Sequence, residues 1–340
     1  MKLKIKKWYL EFLERDKRNF GEAIFYFCLC QLSFVYGVCV GVRNFLYDAK
    51  CVTIYKSTKK IISVGGLSWA GAGKTTLALC LYDKLRASQA KVCILRRGYG
   101  DDENELIRAH TSDLAVAVDR VRLVQDLEPQ FDIFILDDGF QYRKLFRDYD
   151  IVMMTAGEWK KKIRLLPASI FREGLASLGR ARAMVVTYTA DDNERALIAR
   201  EAVEMFPALK VYFARHVFKR FLDTQKRLHE PAALAGRKVA ALSGVGYPKG
   251  FFELLRQVGI APERTFVYPD HYVLSQREFD DLERDLINQG IHDLVITKKD
   301  FYHIPKDHLK INLITMEIDM QIYNEDVFLQ DLKDLVLAHV

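Results

Sequence analysis

Residues 61–76 read IISVGGLSWAGAGKTT and carry the clearest fold signal in the chain. The first half is β-branched and apolar and ends in glycine, which predicts a buried strand. Residues 76–85, TLALCLYDKL, have helical character. A strand, a glycine-rich turn and a helix in this order predict a phosphate-binding loop, because small residues let backbone N–H groups surround a phosphate at the N-terminus of a helix.

The loop has serine at the position where most phosphate loops have their first glycine. Lys74 is expected to reach the β- and γ-phosphates of the nucleotide, and the hydroxyl of Thr75 is expected to bind Mg²⁺. ATP and Mg²⁺ are therefore the predicted cofactors. The residues predicted to bind the nucleotide are Ser68, Trp69, Ala70, Gly71, Ala72, Gly73, Lys74, Thr75 and Thr76.

A second apolar run, FDIFILDDG at 131–139, predicts another buried strand and ends in two carboxylates. The carboxyl ends of parallel strands face the ligand crevice of an α/β sheet. Asp137 and Asp138 are thus expected beside the phosphate loop, where with Thr75 they offer the oxygen ligands that Mg²⁺ prefers. The alternative is a solvated turn after the strand, which is more common for one aspartate than for two.

Further strand-like runs alternate with helical stretches along the chain. This alternation predicts an α/β fold of the phosphate-loop NTPase type, with helices on both faces of a parallel sheet. The pattern restarts after residue 217 as a second, smaller α/β domain. We expect a membrane-associated helical segment at 1–50, a kinase domain at 51–217 and a smaller domain at 218–340 that closes the active-site cleft. The runs are 91–95, 114–118, 150–155, 183–188, 238–242, 266–268, 293–297 and 311–317, with later helices near 250–258, 275–289 and 325–338.

The N-terminal segment contains twenty residues without a formal charge, Ala23 to Val42, which is long enough to cross a bilayer. Residues 1–60 hold 12 Lys and Arg against 5 Asp and Glu, whereas the rest of the chain holds 39 against 40. Because the basic surplus flanks an apolar stretch, it indicates anionic lipid as a partner rather than nucleic acid. The six cysteines show no metal-binding spacing, and a reducing cytoplasmic setting fits them.

A single transmembrane span would place seven basic residues outside the cell if the ATP-binding domain is cytoplasmic, against the positive-inside tendency. A helix that lies in the inner leaflet, with basic residues on both sides at the headgroups, avoids this conflict. A buried core helix is the remaining alternative.

Several motifs together resemble the tetraacyldisaccharide 4'-kinase family, over nearly the whole chain from about Ser33 onward. The chain departs from the family pattern at three places. Gly66 replaces an Asn, Tyr142 replaces a His, and a hairpin insertion after Tyr99 is missing. The matching segments are SFVYGVCVGVRNFLYD, SVGGLSWAGAGKTT, CILRRGYG, DDGFQYRKLFRDYDI, RLLPASIFRE, LSGVGYPKGFF, YPDHYVLS and TKKD.

The resemblance implies transfer of the ATP γ-phosphate to the 4'-hydroxyl of a tetraacyldisaccharide 1-phosphate, an acylated glucosamine disaccharide lipid. It also implies two α/β domains and a location at the cytoplasmic face of the inner membrane of a Gram-negative-type bacterium, peripheral or monotopic. In the family an Asp–His pair activates the sugar hydroxyl. The histidine corresponds to His271 in the PDHY motif, and counting from Asp119-Arg120 selects Asp102 as the aspartate. No protein partner is predicted.

Arginines near these motifs are candidates to bind the substrate or the γ-phosphate, because a guanidinium matches phosphate geometry. Their alternative is a surface or structural ion pair. The predicted substrate contacts are Arg97, Tyr99, Arg120, Gln141 and Arg172.

Two other functions use the same phosphate loop. If the protein is a soluble small-molecule kinase or nucleotide hydrolase, residues 1–50 are expected to be dispensable for binding and activity. A membrane-tethered nucleotide switch predicts slow ATP turnover regardless of lipid. In the family the catalytic aspartate belongs to a Gly-Asp-Glu-Pro motif, which here is degraded to Asp101-Asp102-Glu103-Asn104. This degraded motif also leaves open an inactive relative.

Overall fold

The structure is a computed structural model that describes residues 8–9, 11–13, 15, 17–69, 71–98, 101–161, 163–270, 272–306 and 308–336, without the side chains of 101, 102, 335 and 336. The chain forms two compact units. The larger comprises Glu11–Tyr99, Ile107–Arg215 and Met320–Val340, and the smaller comprises Met1–Leu10, Gly100–Leu106 and His216–Asp319.

Strands and helices alternate along the described residues. The strands are β1 (Lys60–Gly66), β2 (Val92–Arg96), β3 (Leu114–Val116), β4 (Ile133–Asp137), β5 (Tyr149–Thr155), β6 (Ala183–Thr187), β7 (Lys210–Asp223), β8 (Leu228–His229), β9 (Val239–Ser243), β10 (Arg264–Val267), β11 (Asp293–Thr297) and β12 (Asn312–Ile322). The helices are α1 (Phe20–Asp48), α2 (Lys74–Ala87), α3 (Asp101–Arg108), α4 (Arg120–Leu127), α5 (Ala156–Trp159), α6 (Asp192–Met205), α7 (Pro231–Ala235), α8 (Pro248–Gln257), α9 (Gln276–Asn288) and α10 (Glu325–Val336), with 3₁₀ turns at Leu175–Arg180 and Asp300–His303.

The larger unit is built on parallel strands in the order β7-β6-β5-β1-β4-β2-β3. Successive strand residues enter different cores, as strand geometry requires. On β4, Ile133 and Ile135 join the core that includes Leu77 of α2, whereas Phe134 and Leu136 pack with Val124 of α4. Helices therefore cover both faces, and the predicted phosphate-loop NTPase-type α/β fold is confirmed.

Glycine is required where β1 passes the segment after β4. A Cβ at Gly65 would lie 2.5 Å from Cβ of Phe140, and one at Gly139 would lie 2.8 Å from Oγ of Ser63 on β1. No such separations occur between real Cβ atoms and their neighbours, so these two glycines permit β1 and the acidic end of β4 to lie close together.

The predicted apolar helix forms as α1, with Asn19 and Glu22 as a capping box at its start. One face contacts the rest of the larger unit. Ser33 Oγ donates to the carbonyl of Leu165 (2.7 Å), and Asn44 donates to Glu173 (3.0 Å). The opposite face of α1 exposes large apolar side chains. In the most apolar stretch of 18 residues of the helix, only 11% is buried. By length and composition α1 is long and apolar enough to cross a membrane, but it is a single helix near the N-terminus.

The smaller unit has its own parallel strands in the order β10-β9-β11-β12. Strand residues again divide between two cores, one under α8 and one under α9. The closing helix α10, which sequence periodicity grouped with residues 218–340, packs in the larger unit instead. Its Phe328 and Leu332 are fully buried there, because β12 continues beyond Asp319 and carries the chain into that unit.

Candidate active site

The phosphate loop joins β1 to α2. Gly73 is the N-cap residue of α2 and has a left-handed backbone (φ 94°), which glycine adopts without steric cost. Thr187 Oγ1 donates to the carbonyl of Ala72 (3.2 Å), and the Ser68 hydroxyl donates to Glu158. The loop is thus fixed at both ends and directs the N-terminus of α2 toward a bound anion. Ala70 lies outside the described residues.

The first carboxylate at the end of β4 contacts the start of α2. Thr75 Oγ1 donates to Asp137 Oδ2 (3.1 Å), and Arg96 Nε lies 3.1 Å from the same oxygen. Asp137 and Arg96 are both buried. A threonine hydroxyl beside a carboxylate, next to a phosphate loop, is a donor set that fits Mg²⁺.

The second carboxylate, Asp138, has a left-handed backbone (φ 52°) and faces other cations. Arg172 donates to both of its oxygens at 2.7 Å, and Lys74 Nζ lies 4.0 Å from Oδ1. Removal from water raises the pKa of this carboxyl, but the hydrogen bonds from Arg172 and the charges of Lys74, Arg172 and Arg120 outweigh that effect and lower it to about 2. Asp138 is therefore ionised at neutral pH.

Arg172 also braces the end of β1. Its Nη2 donates to the carbonyls of Gly66 (3.1 Å) and Ser68 (3.0 Å). Gln141 Nε2 donates to the same Gly66 carbonyl at 3.0 Å. Arg172 and Gln141, both predicted as substrate contacts, thus support the start of the phosphate loop. Tyr99, a third predicted contact, is not among the described residues.

Arg120 is a buried cation with unused donors. Its side chain is 4% exposed, and within the described part of the chain its Nε and Nη1 atoms have no hydrogen-bond partner. The guanidinium stacks on the ring of Tyr142 at 3.9 Å. Burial lowers the pKa of Arg120 to about 10, although Tyr142, Asp138 and Asp137 act in the opposite direction, so it is charged at neutral pH. Arg97, by contrast, is exposed.

The predicted proton-transfer pair belongs to the smaller unit. Asp102 lies in the first turn of α3, within Gly100–Leu106, and His271 lies within His216–Asp319. The side chain of Asp102 and the whole of His271 lie outside the described residues. Their chain neighbours Glu103 and Asp270 are described, and both contact Lys299.

Three residues of the site were not predicted from sequence. Arg96 contacts Asp137, and its place as the last residue of the buried strand β2 was the signal available in the sequence. Tyr142 was noted only as a departure from the family, yet it stacks on Arg120. Glu158 follows a distant strand, and nothing local indicates that it accepts from Ser68.

A lysine and a threonine at the start of a helix, beside two carboxylates at the end of a neighbouring parallel strand, define a phosphate-loop nucleotide-binding protein. The profile of the tetraacyldisaccharide-1-P 4'-kinase family matches residues 25–108 and 101–337. The chain belongs to this family. The predicted class, an ATP-dependent kinase of lipid A biosynthesis, is confirmed at this level.

Individual relatives agree with the profile. A tetraacyldisaccharide 4'-kinase of Aquifex aeolicus is 33% identical over 276 residues, covering 72% of this chain and 82% of that protein. One of Chlorobaculum parvum is 28% identical over 308 residues, covering 82% and 84%. The crystal structure of LpxK from Aquifex aeolicus in complex with ATP is 27% identical, with a TM-score of 0.70, and covers 92% of this chain and 99% of that one.

Proposed function

We propose that this enzyme transfers the γ-phosphate of ATP to the 4'-hydroxyl of a tetraacyldisaccharide 1-phosphate at the surface of a membrane. The observation that carries the proposal is the contact of Thr75 with Asp137 beside the Asp138–Arg172 pair, directly at the N-terminus of α2. Family membership directs the choice of acceptor.

On the nucleotide side, the loop residues 68–76 bind the phosphates through backbone N–H groups, and Lys74 neutralises charge on the β- and γ-phosphates. The ion pair with Asp138 holds the Arg172 side chain in place. Arg172 in turn donates hydrogen bonds to the carbonyls of Gly66 and Ser68. The loop is thereby preorganised for its anion, so that little reorganisation is needed during transfer.

For Mg²⁺, Thr75 and Asp137 are the proposed protein ligands. Among the described residues no group of three or more His, Cys, Asp and Glu side chains forms a metal cage, which agrees with an ion bound largely by phosphate and water oxygens. Asp138 is a proposed ligand only if one of its bonds to Arg172 is exchanged, since both of its oxygens accept from that guanidinium. When bound, the ion would supply charge stabilisation of the transferred phosphoryl group.

On the acceptor side, Asp102 accepts the proton of the sugar hydroxyl and His271 orients it or shares the proton. Arg120 is the proposed phosphate-binding arginine, because its buried Nε and Nη1 donors lack partners among the described side and main chains. Such donors are stabilised by an anionic ligand. Arg97 is proposed as a more exposed second contact, together with Tyr99 of the same CILRRGYG motif and Gln141 of the DDGFQ motif.

For the membrane, we propose that α1 lies in the interface at the cytoplasmic face of the inner membrane and contacts anionic lipid. Crossing a bilayer takes about 20 helical residues. Contacts of α1 with later residues of the larger unit extend from Tyr26, which accepts from Arg164, to Asp48, which pairs with Arg143. Only residues 20–25 of the helix precede the first of these contacts. An interfacial position also places exposed side chains such as Phe34 (72% exposed) and Phe27 (62% exposed) among acyl chains.

The test is incubation of the purified full chain with γ-labelled ATP, Mg²⁺ and a set of acceptors in mixed micelles. We expect label on the tetraacyldisaccharide 1-phosphate at the 4'-position and none on soluble sugars. Lys74→Ala serves as the inactive control. Label on a soluble acceptor would instead support a small-molecule kinase, and ATP hydrolysis unaffected by lipid would support a nucleotide switch.

A further inference from the structure

Lys299 contacts two separate segments of the smaller unit. Its ammonium lies 3.5 Å from Glu103 Oε1 in the first turn of α3 and 3.2 Å from Asp270 Oδ1 in the loop after β10. About one fifth of the lysine side chain is exposed, so the bridge is shielded from much of the solvent. One cation thus joins α3 to the loop at 268–272.

The two carboxylates are chain neighbours of the proposed proton-transfer pair. Glu103 directly follows Asp102, and Asp270 directly precedes His271. A bridge between Glu103 and Asp270 therefore fixes the distance between the two segments that carry the pair. Neither carboxylate has a role in the function proposed above.

We propose that Lys299 is a positioning residue, which holds α3 and the 268–272 loop together so that Asp102 and His271 act as a unit. This inference rests on the proposed function, because it assigns a purpose to the same proton-transfer pair.

The backbone around Lys299 is itself fixed. Asp300, 2% exposed, accepts from the Gly244 amide (2.9 Å) and from Thr297 Oγ1 (2.7 Å). A second contact runs to the same helix, because Tyr302 OH donates to the carbonyl of Glu105 (3.3 Å). The lysine thus extends from a rigid turn, and its ammonium has a defined position between its two partners.

The expected sizes of the two effects distinguish a positioning role of Lys299 from a role in stability alone. A partly exposed ion pair contributes about 0–1 kcal/mol to folding. A misplacement of about 1 Å near the reacting atoms costs on the order of 10²-fold in rate. Removing the charge of Lys299 should therefore lower turnover far more than it lowers the melting temperature.

The adjacent lysine provides a matched control. Lys298 has a similar exposure (23% against 19%) and pairs with Glu317 at 2.8 Å. Among the described residues it makes no ion pair with α3 or the 268–272 loop. The experiment compares Lys299→Met, Lys299→Arg and Lys298→Met in the full chain. It measures kcat, KM for ATP and for the lipid acceptor, ATP-binding stoichiometry and melting temperature.

We expect Lys299→Met to lower kcat about 10- to 100-fold with full ATP-binding stoichiometry, little change in either KM and a melting temperature close to that of Lys298→Met. Lys299→Arg should recover most of the lost kcat, because it restores a cation between the carboxylates. Lys298→Met should turn over like the wild type.

Equal kcat in Lys299→Met and Lys298→Met would overturn the inference. A loss of kcat that is fully explained by the unfolded fraction of Lys299→Met would also overturn it, as would a Lys299→Arg variant as slow as Lys299→Met. A raised KM with normal kcat would overturn it too, because that result would mean that Lys299 binds the substrate directly. A wild-type enzyme that leaves the lipid acceptor unlabelled contradicts the proposed function instead, so the two failures are distinguishable.

Discussion

Arg172 and Asp138 form a two-pronged ion pair in which each terminal guanidinium nitrogen lies 2.7 Å from one carboxylate oxygen. The same arginine donates to two carbonyls at the start of the phosphate loop, and its own carbonyl accepts from Tyr36 OH of α1 (3.2 Å). Burial lowers the pKa of Arg172, but the hydrogen bonds and charge of Asp138, together with Glu173 and Tyr36, outweigh this effect and raise the pKa overall. One residue therefore links the acidic strand end, the nucleotide loop and α1.

The first prediction concerns this pair. Arg172→Lys keeps the charge but loses the planar fork, so one ammonium cannot reach both oxygens of Asp138 and the carbonyls of Gly66 and Ser68. Each lost charge-assisted bond is worth about 1.5–3 kcal/mol, so kcat/KM for ATP should fall at least roughly 10-fold. Steady-state kinetics at fixed acceptor measure this. Arg164→Lys, outside the loop, is the control, and an Arg172→Lys enzyme with native kcat/KM would contradict the bracing role.

The second prediction tests the proton acceptor. Asp102→Asn removes the base with little change in volume, so kcat should fall about 10²–10⁴-fold while ATP affinity is retained. The double variant with His271→Ala should cost less than the product of the single effects, because the pair acts as a unit. Asp101→Asn is the neighbouring control. A crippled Asp101→Asn with a mild Asp102→Asn would move the base by one residue, and two mild variants would exclude a carboxylate base.

Much of the fold follows from local sequence, and the part that does not depends on distant partners. The predicted run 293–297 coincides with β11, because its apolar residues are buried on both faces. The fourteen-residue strand β7 was not predicted, and the proposed domain boundary at 217 falls inside it. Its charged residues resemble a loop until their partners are known. Arg220 pairs with Glu317 and Lys219 with Asp319, both about a hundred positions later.

The site divides in the same way. Lys74, Thr75 and the two aspartates are predictable because a strand, a loop and a helix position them within a short stretch of chain. Arg96 and Tyr142 depend on which neighbouring strand and helix their side chains meet, and Lys299 depends on segments nearly 200 positions apart. The local sequence pattern around a residue does not indicate which distant residues it contacts.

The third prediction separates two roles of Tyr142. Its hydroxyl accepts from the amides of Arg120 (3.1 Å) and Val121 (3.3 Å), while its ring supports the Arg120 guanidinium. Tyr142→Phe should lower the free energy of unfolding by about 1 kcal/mol and leave kcat nearly unchanged, since only helix capping is lost. Tyr142→Leu should also slow turnover, because a buried cation–π contact of about 2 kcal/mol that orients Arg120 is removed. Urea unfolding and kinetics on both variants test this, and equal kcat in both would contradict the stacking role.

The fourth prediction concerns pH and stability. Burial raises the pKa of Asp300 to about 6 from 3.8, although hydrogen bonds from Thr297 and Gly244 and the charge of Lys299 act in the opposite direction. The folded state thus binds this proton more tightly than the unfolded state. Its contribution to stability is complete below about pH 4 and is lost as the pH rises toward about 6, by up to roughly 3 kcal/mol. Urea unfolding of wild type and Asp300→Asn at several pH values gives the difference directly. Curves that stay parallel between pH 4 and 7 would contradict the shifted pKa.

The last prediction concerns the outer face of α1. Because the inner face of this helix contacts Leu165, Arg172 and Glu173, deleting residues 1–50 would disturb the active site as well as membrane binding. Point changes on the outer face avoid this difficulty. Phe27→Ser with Phe34→Ser removes two large exposed rings, each of which would contribute about 1.5–3 kcal/mol when buried in lipid.

The double variant should therefore partition at least 10-fold less onto anionic vesicles. With a water-soluble, short-chain acceptor its kcat should match the wild type, whereas turnover of vesicle-bound acceptor should fall with partitioning. Val203→Ser, an exposed apolar position on α6 (47% exposed), is the control for surface hydrophobicity in general. Vesicle sedimentation and the two assays decide between the possibilities. If partitioning is unchanged, the membrane contact lies elsewhere on the chain, and if both assays fall together, α1 acts mainly through the segment that carries Arg172.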